Sequence, residues 1–235
     1  MEYDRIYREA DALIALTEYE KRMLIKEKGV LPERIHVTGI GPVVAESFSV
    51  NDFRATYKIH GPYVLFLGRQ VKYKGYEALI RASRIVSSRF SDISFVFIGQ
   101  ETRQSKTIFK SFTNDRIFNL GPVDLNTKTA AIAGCEFLCM PSTQESFGGV
   151  YCEAWLFKKP VIGGLIPSIA SVIDDEKDGL LCSQDPEELA ERICYLLEHP
   201  DKAKKMGERG FKKVQRHYTW CQLAQKTFDV YKSFK

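Results

Sequence analysis

The chain has 235 residues, of which 44% are hydrophobic and 27% are charged, as in ordinary soluble globular proteins. A net charge of +4 from 34 basic and 30 acidic residues requires no nucleic-acid partner, and no apolar run reaches the length of a membrane span. The first residues lack the basic start and apolar core of a secretory signal, so we expect a cytoplasmic protein.

Residues 1 to about 50 predict two short βα units. A helix-like start is followed by a strand candidate at 12–16, a charged helix at 19–28, a second strand at 35–37 and a turn-rich stretch at 39–42. Two such units do not make a stable sheet alone. They therefore either pair with a larger sheet or form the tail of another domain.

From residue 61 onward, short apolar runs alternate with longer amphipathic ones. Strands are predicted at 63–67, 93–98, 117–120, 136–140, 160–162 and 179–182. Helices are predicted between them at 76–90, 107–114, 127–134, 150–157 and 169–176, and after them at 186–197, 202–216 and 220–234. The alternation predicts an α/β fold, a Rossmann-like parallel sheet with helices on both faces and a helical C-terminus.

The cysteines and histidines predict no metal site. The six cysteines contain no C-x-x-C pair and lie mostly in apolar runs, so we expect reduced core residues. The four histidines share no metal-ligand spacing with them.

Residues 141–154 join two glutamates to a Gly-Gly pair at a predicted strand-loop-helix corner. Gly148 and Gly149 let the backbone approach a ligand closely, and the free N–H groups of the helix start attract a diphosphate. Glu145 in the loop and Glu153 in the first helical turn can accept hydrogen bonds from hydroxyls at the two ends of a nucleotide sugar. Alone, the pair is equally well explained as a loop glutamate and a helix glutamate stabilised by the helix dipole.

A second candidate site follows the first strand of the main sheet, where Arg69, Lys72 and Lys74 share one loop. Arg69 can bind phosphate oxygens through two parallel hydrogen bonds, and a lysine adds a point charge. Alone, such a loop is more simply explained as a solvated surface. Both loops follow strands at the carboxyl edge of the sheet, where ligands bind in open α/β folds, and together they predict a pocket for a diphosphate.

Two other enzyme classes fit less well. Glycoside hydrolases place two carboxylates on opposite sides of the scissile bond, whereas Glu145 and Glu153 share one side. A dinucleotide-binding dehydrogenase needs Gly-x-Gly-x-x-Gly after a strand, and Gly68 stands alone on its loop.

A series of motifs also occurs in a fixed order along nearly the whole chain. They are Gly68-Arg69 with Lys74-Gly75, Phe97-Ile98-Gly99, Leu120-Gly121-Pro122-Val123, Met140-Pro141-Ser142, Glu145-Ser146-Phe147-Gly148 with Glu153-Ala154, Lys159-Pro160-Val161-Ile162, Asp178-Gly179-Leu180, and Met206-Gly207 with Tyr218-Thr219-Trp220. In this order they resemble the C-terminal, donor-binding half of retaining glycosyltransferases with the GT-B fold, in particular family 4, the glycosyl transferases group 1.

The resemblance implies a catalytic set of Arg69, Lys74 and Glu145. Arg69 and Lys74 would bind the diphosphate and stabilise the departing nucleoside diphosphate, while Glu145 would hold hydroxyls of the donor sugar. Glu153 would hold the ribose hydroxyls. No metal or other cofactor is implied, since cations and helix amides can stabilise the developing charge.

The remaining donor-binding residues implied by the resemblance act through the backbone. Phe147, Gly148 and Gly149 would present amides to the sugar and the phosphates, and Val123 would contact the base through its main chain. Gly68 would also line the donor site. The base, the hexose and the acceptor stay undetermined by the sequence.

The implied reaction transfers a hexose from a nucleoside-diphosphate sugar to a sugar, lipid or other hydroxyl acceptor with retention of configuration, in polysaccharide or glycoconjugate biosynthesis. The implied partners are the nucleotide sugar and a carbohydrate or lipid-linked acceptor, and no nucleic acid. Peripheral association with the inner face of the membrane stays open.

Residues 1–45 resemble the last two βα units of the N-terminal domain of these enzymes and the hinge, and residues 46–235 resemble the donor-binding domain. In the family the N-terminal domain supplies most of the acceptor site. A complementing N-terminal domain or subunit is therefore an open partner, and a noncatalytic module that binds a nucleotide sugar or a partner is the alternative function. The hinge turn at 38–42 departs from the family's usual Asn-Gly turn.

Overall fold

The computed structural model describes residues 2–112 and 114–234. Its main sheet has six parallel strands. They are β3 (Tyr63–Leu67), β4 (Ser94–Ile98), β5 (Ile117–Gly121), β6 (Phe137–Met140), β7 (Val161–Gly164) and β8 (Gly179–Cys182). Across the sheet they lie in the order β5-β4-β3-β6-β7-β8. The predicted parallel sheet is confirmed. Thr113, within the predicted helix 107–114, and the terminal residues Met1 and Lys235 lie outside the described residues.

Helices connect and cover these strands. They are α3 (Val50–Tyr57), α4 (Tyr76–Ser87), α5 (Arg103–Ser111), α6 (Leu125–Gly134), α7 (Gly149–Leu156), α8 (Pro167–Ala170), α9 (Pro186–Glu198), α10 (Pro200–His217) and α11 (Trp220–Lys232). No helix in the described ranges combines the length and apolarity that a membrane crossing requires.

Three helices differ most from the prediction. Helix α5 begins at Arg103, four residues before the predicted start, because Thr102 caps it there. Helix α3 is absent from the prediction; it is a short helix that buries only Phe53 and begins after the Ser49 cap. The predicted helix 169–176 was too long, since α8 ends at Ala170. The backbone N–H of Asp174 donates to a carboxylate oxygen of Asp178 at 2.9 Å, and this turn leads the chain directly into β8.

The sheet is covered on both faces. Helix α4 packs against α9, whereas α7 packs against α10 and α6 packs against α3. Every residue of β3, β4, β6, β7 and β8 is buried. This explains why these strands are continuous apolar runs rather than alternating ones.

The chain reverses its direction of travel across the sheet between β3 and β6. From β3 it moves outward through β4 to β5, and then it crosses back to β6, which pairs with β3 at Leu65 and Leu138. Such a reversal opens a crevice at the carboxyl ends of the two central strands. The two predicted ligand loops follow these strands.

The N-terminal elements form a separate two-stranded parallel sheet. They are α1 (Glu2–Glu9), β1 (Leu13–Ala15), α2 (Glu18–Lys28) and β2 (Ile35–Val37). Of the two alternatives that the sequence left open, pairing with the main sheet is therefore wrong. The division into segments 1–45 and 46–235 stays a prediction.

The cysteine prediction holds for five of six residues. Cys135, Cys139, Cys152, Cys182 and Cys194 are buried free thiols. Cys221 is exposed, because its position near the start of α11 faces solvent.

Candidate functional site

The two ligand loops are joined where β3 and β6 lie side by side. The N–H of Thr143 donates to the Tyr73 carbonyl at 2.8 Å. The Gln184 side chain donates to the carbonyls of Tyr73 and Pro141, at 3.1 and 2.7 Å. A Cβ atom at Gly75 would lie 2.6 Å from the Pro141 ring, so the close approach of the loops requires glycine there. The predicted pocket therefore has one connected frame.

Lys74 and Glu145 form an ion pair across the junction. Each side chain is only 18% exposed, so the pair is shielded from most of the solvent. The Ser168 hydroxyl in α8 donates to the Glu145 carbonyl at 2.5 Å and holds the backbone of this loop residue. The structure thus brings two members of the predicted catalytic set into direct contact.

Glu153 lies in the second turn of α7, because this helix begins at Gly149; the predicted first-turn position is wrong. One carboxylate oxygen, Oε1, accepts hydrogen bonds from Lys128 Nζ at 2.8 Å and from the Val43 N–H at 3.4 Å. The other, Oε2, is buried and has no partner among the residues that the structure describes. Burial raises the pKa of Glu153, and the ammonium of Lys128 offsets part of that rise.

Backbone amides converge at the start of α7. Gly148 has a left-handed conformation with φ of 76°, and a Cβ atom there would lie 2.2 Å from the Tyr151 ring. Within the described ranges, the N–H groups of Phe147, Gly148 and Gly149 donate to no protein acceptor. The Phe147 ring is buried, with its centroid 5.2 Å from that of Tyr218, so this residue can offer only its backbone to a ligand. The arrangement suits an anion.

Arg69 and Gly68 follow β3 at the same edge, and among the described residues no hydrogen bond or salt bridge joins either of them to the ion pair. The Gly68 N–H donates to the Ile98 carbonyl at 2.9 Å, and the next residue but one, Gln70, is fully buried. Arg69 itself is exposed, and its guanidinium has no hydrogen-bond partner in the described part of the chain. The loop is thus fixed on both sides of a free cationic side chain.

Val123 lies between β5 and α6 and is half-buried. Its N–H and C=O have no hydrogen-bond partner among the described residues. The following residue, Asp124, caps α6 by accepting from the Thr127 N–H at 2.9 Å. Main-chain groups are therefore free at the position predicted to contact the base.

Two residues at the site, Lys128 and Gln184, were not among the predicted residues. Lys128 is the one charged residue in α6, whose other residues are small, apolar or uncharged, and this isolation is the signal that could have identified it. Gln184 lies just before the α9 cap and carries no comparable signal. Its role depends on two carbonyls that are distant in the chain.

The strand order and the reversal between β3 and β6 define a parallel α/β fold of the Rossmann type, with cationic and amide groups at the point of reversal. Residues 51–213 match the family model described as glycosyl transferases group 1. The chain belongs to this family, and its main body has the fold of one half of a GT-B glycosyltransferase.

Named relatives agree with this assignment. The chain is 26% identical to D-inositol 3-phosphate glycosyltransferase 2 of Catenulispora acidiphila, over 97% of this chain and 57% of that protein. It is 28% identical to the uncharacterized glycosyltransferase MJ1178 of Methanocaldococcus jannaschii, over 71% of this chain and 47% of that protein. The chain thus spans about half the length of these curated relatives.

Solved structures share the fold. Anabaena Alr3699/HepE, in a complex with UDP and glucose, superposes with a TM-score of 0.81 at 20% identity, covering 97% of this chain and 64% of that one. The C-terminal domain of the group 1 glycosyl transferase LpcC from Francisella tularensis superposes with a TM-score of 0.64 at 22% identity, covering 77% of this chain and 96% of that domain.

Proposed function

We propose that this chain binds a nucleoside-diphosphate sugar at the β3–β6 edge and supplies the donor half of a retaining hexosyl transfer to a sugar, lipid or other hydroxyl acceptor. The observation that carries the proposal is the buried, unpartnered Oε2 atom of Glu153. A desolvated carboxylate oxygen without a donor costs free energy, and a ribose hydroxyl would supply the missing hydrogen bond.

The other groups fit the remaining parts of such a donor. The amides of Phe147, Gly148 and Gly149 suit the phosphates, which Arg69 and Lys74 would also bind. A bound diphosphate would compete with Glu145 for the Lys74 ammonium, and this exchange would leave Glu145 to accept hydroxyls of the sugar.

The free main-chain groups of Val123 would bind the base, and Gly68 would line the site between the two loops. The position of Val123 supports this assignment, because it follows β5 at the carboxyl edge of the sheet, where ligands bind in open α/β folds.

In the transfer, the bond between the anomeric carbon and the β-phosphate oxygen breaks, and the acceptor oxygen bonds to that carbon from the same face. The departing phosphate accepts the acceptor's proton. Arg69, Lys74 and the α7 amides would stabilise the negative charge on the leaving group, so the proposed reaction needs no metal or other cofactor.

The second candidate is a noncatalytic module that binds a nucleotide sugar or a complementing subunit. The observation behind it is the matched span of about half the relatives' length. In this candidate the donor pocket is occupied but no sugar is transferred, and association with a membrane or a complementing domain would belong to the partner.

A thermal-shift screen against UDP, GDP and ADP and their hexose conjugates tests the donor site. A ligand present at a hundred times its Kd is expected to raise the melting temperature by roughly 5 to 10 °C. The matched control is Glu187→Gln, which alters an exposed glutamate on α9 and should leave this shift unchanged. No shift with any nucleotide would contradict the proposal.

Release of labelled sugar from the best donor then separates the two candidates. Transfer to an added hydroxyl acceptor, with the product in the donor's anomeric configuration, supports the enzyme. Tight binding without release supports the module.

A further inference from the structure

The first part of the segment that joins the two sheets is held by side chains of α6 and α11. We call residues 38–45 the linker. The Trp220 indole N–H donates to the Pro42 carbonyl at 2.8 Å, Lys226 Nζ donates to the Thr38 carbonyl at 3.3 Å, and the Ala45 N–H donates to the Thr129 hydroxyl at 2.9 Å. The linker therefore has a defined path.

Lys128 connects the linker to Glu153, the carboxylate proposed to bind the ribose hydroxyls. Its ammonium donates to the Val43 carbonyl at 2.7 Å and to Glu153 Oε1 at 2.8 Å, while the Val43 N–H donates to the same Oε1 atom. The three groups close a ring of hydrogen bonds. The side chains of Lys128 and Glu153 are only 19% and 9% exposed, and charge-assisted hydrogen bonds are strong when they are shielded from water.

The ring gives the two carboxylate oxygens of Glu153 different roles. Oε1 already accepts from the linker and from Lys128, so Oε2 is the atom left for a ligand hydroxyl. Without the ammonium, the pKa of this buried carboxyl group would be higher still, and a protonated carboxyl group is a weaker acceptor.

We propose that Lys128 is a positioning residue that fixes Glu153 with Oε2 open to the nucleoside and, through Val43, couples nucleoside binding to the path of the linker. This inference rests on the proposed function, because the nucleoside is the ligand assigned to Oε2. Coupling is reciprocal: if the linker arrangement strengthens binding, binding strengthens the linker arrangement by the same factor.

No other charged group can replace Lys128 in this ring. It is the one charged side chain within hydrogen-bonding distance of Glu153 in the described part of the chain. Lys213 of α10, which also packs on α7, pairs instead with Asp174 and Asp178. A change in Glu153 ionisation can therefore be traced to one partner.

The first test uses the ligand-free chain and compares Lys128→Met with Lys128→Arg. Lys128→Met is expected to speed hydrogen exchange at the Val43 amide about tenfold, the effect of losing one charge-assisted hydrogen bond, and to raise the pKa of Glu153 in a carboxyl NMR titration. Lys128→Arg should retain most of both properties. The control Lys110→Met removes an exposed lysine of α5 and should change neither.

The second test measures affinity by calorimetry from pH 5.5 to 8.5, with UDP-glucose and GDP-mannose as probes, since their diphosphates do not titrate in this range. At pH 7, Lys128→Met is expected to weaken binding of the preferred probe about tenfold, and the loss should shrink as rising pH ionises Glu153. In the wild type, the probe should slow exchange at Val43.

Unchanged hydrogen exchange at Val43 and an unchanged pKa of Glu153 in a folded Lys128→Met protein would overturn the inference that Lys128 joins the linker to Glu153. A loss of affinity that is constant with pH would overturn the positioning role and indicate a general structural defect. If neither probe binds the wild type, the proposed function fails for these donors, whereas the ligand-free test still decides whether Lys128 joins the linker to Glu153.

Discussion

Glu145 and Glu153 are assigned to different parts of the donor, so their substitutions should affect the binding of different ligands. Glu153→Gln is expected to weaken both the bare nucleoside diphosphate and its sugar conjugate about tenfold, because the ribose is present in each. Glu145→Gln should weaken only the sugar conjugate by this amount, and it should leave the bare diphosphate unchanged or tighter because Lys74 is released. Calorimetry with the two ligands measures the split, and an equal loss for both ligands in Glu145→Gln would contradict the assignment.

The burial of Glu153 also predicts a cost in stability. The pKa of this carboxyl is raised in the folded state, mainly by burial, from an ordinary value of about 4.3 in an unfolded chain. Above that pH the unfolded chain ionises more readily than the folded one, so ionisation lowers the free energy of unfolding. Glu153→Gln should therefore raise the melting temperature at neutral pH, and the gain should disappear as the pH falls towards 4. Calorimetric scans across this range measure it; a gain that is independent of pH would count against the raised pKa.

At the scale of elements, the packing of α10 on α7 depends on two glycines. A Cβ atom at Gly210 would lie 2.0 Å from Trp155 Cδ1, and one at Gly207 would lie 1.9 Å from the Lys158 carbonyl oxygen. Helix propensity alone predicts that alanine stabilises such positions by about 1 kcal/mol. Overpacking reverses the sign, so Gly210→Ala is expected to lower the free energy of unfolding by about 1–3 kcal/mol.

Urea denaturation checks this prediction, with Gln215→Ala on the exposed face of the same helix as the control. The control should change the free energy of unfolding by less than about 0.5 kcal/mol. Stabilisation by Gly210→Ala would show that the two helices can separate at little cost.

At the scale of the whole molecule, the two sheets should differ in local stability. The small sheet has strands of three residues and a buried core of Ala15, Val30 and Ile35, whereas the main sheet has an extensive core on both faces. Amides in β1 and β2 are expected to exchange with solvent faster than those in β3 and β6. Native-state hydrogen exchange followed by mass spectrometry measures the difference, and equal protection in both sheets would indicate a single cooperative unit.

Local sequence patterns predicted the type of most helices and strands, but they did not reveal every one of them. The strands of the main sheet were recognisable because burial on both faces makes each a continuous apolar run. Helix α3 has no such pattern, since it buries one residue, and beyond the end of α8 the Asp174 N–H donates to the Asp178 carboxylate, a contact that no local pattern reveals. The edge on which Arg69, Lys74, Glu145 and Glu153 lie followed from their positions after parallel strands.

The sequence by itself determined the sheet, the edge that carries the ligand loops and the resemblance to the family that the comparisons show. Only the tertiary structure decided that Lys74 pairs with Glu145, that the first two strands form a separate sheet, and that Lys128 donates a hydrogen bond to Oε1 of Glu153. The physical reason is separation along the chain. The periodicity that identifies a helix or strand involves neighbouring residues, whereas the partners of a buried charge come from elements that meet only in the packed fold. Lys128 and Val43 lie 25 and 110 positions from the glutamate they hold.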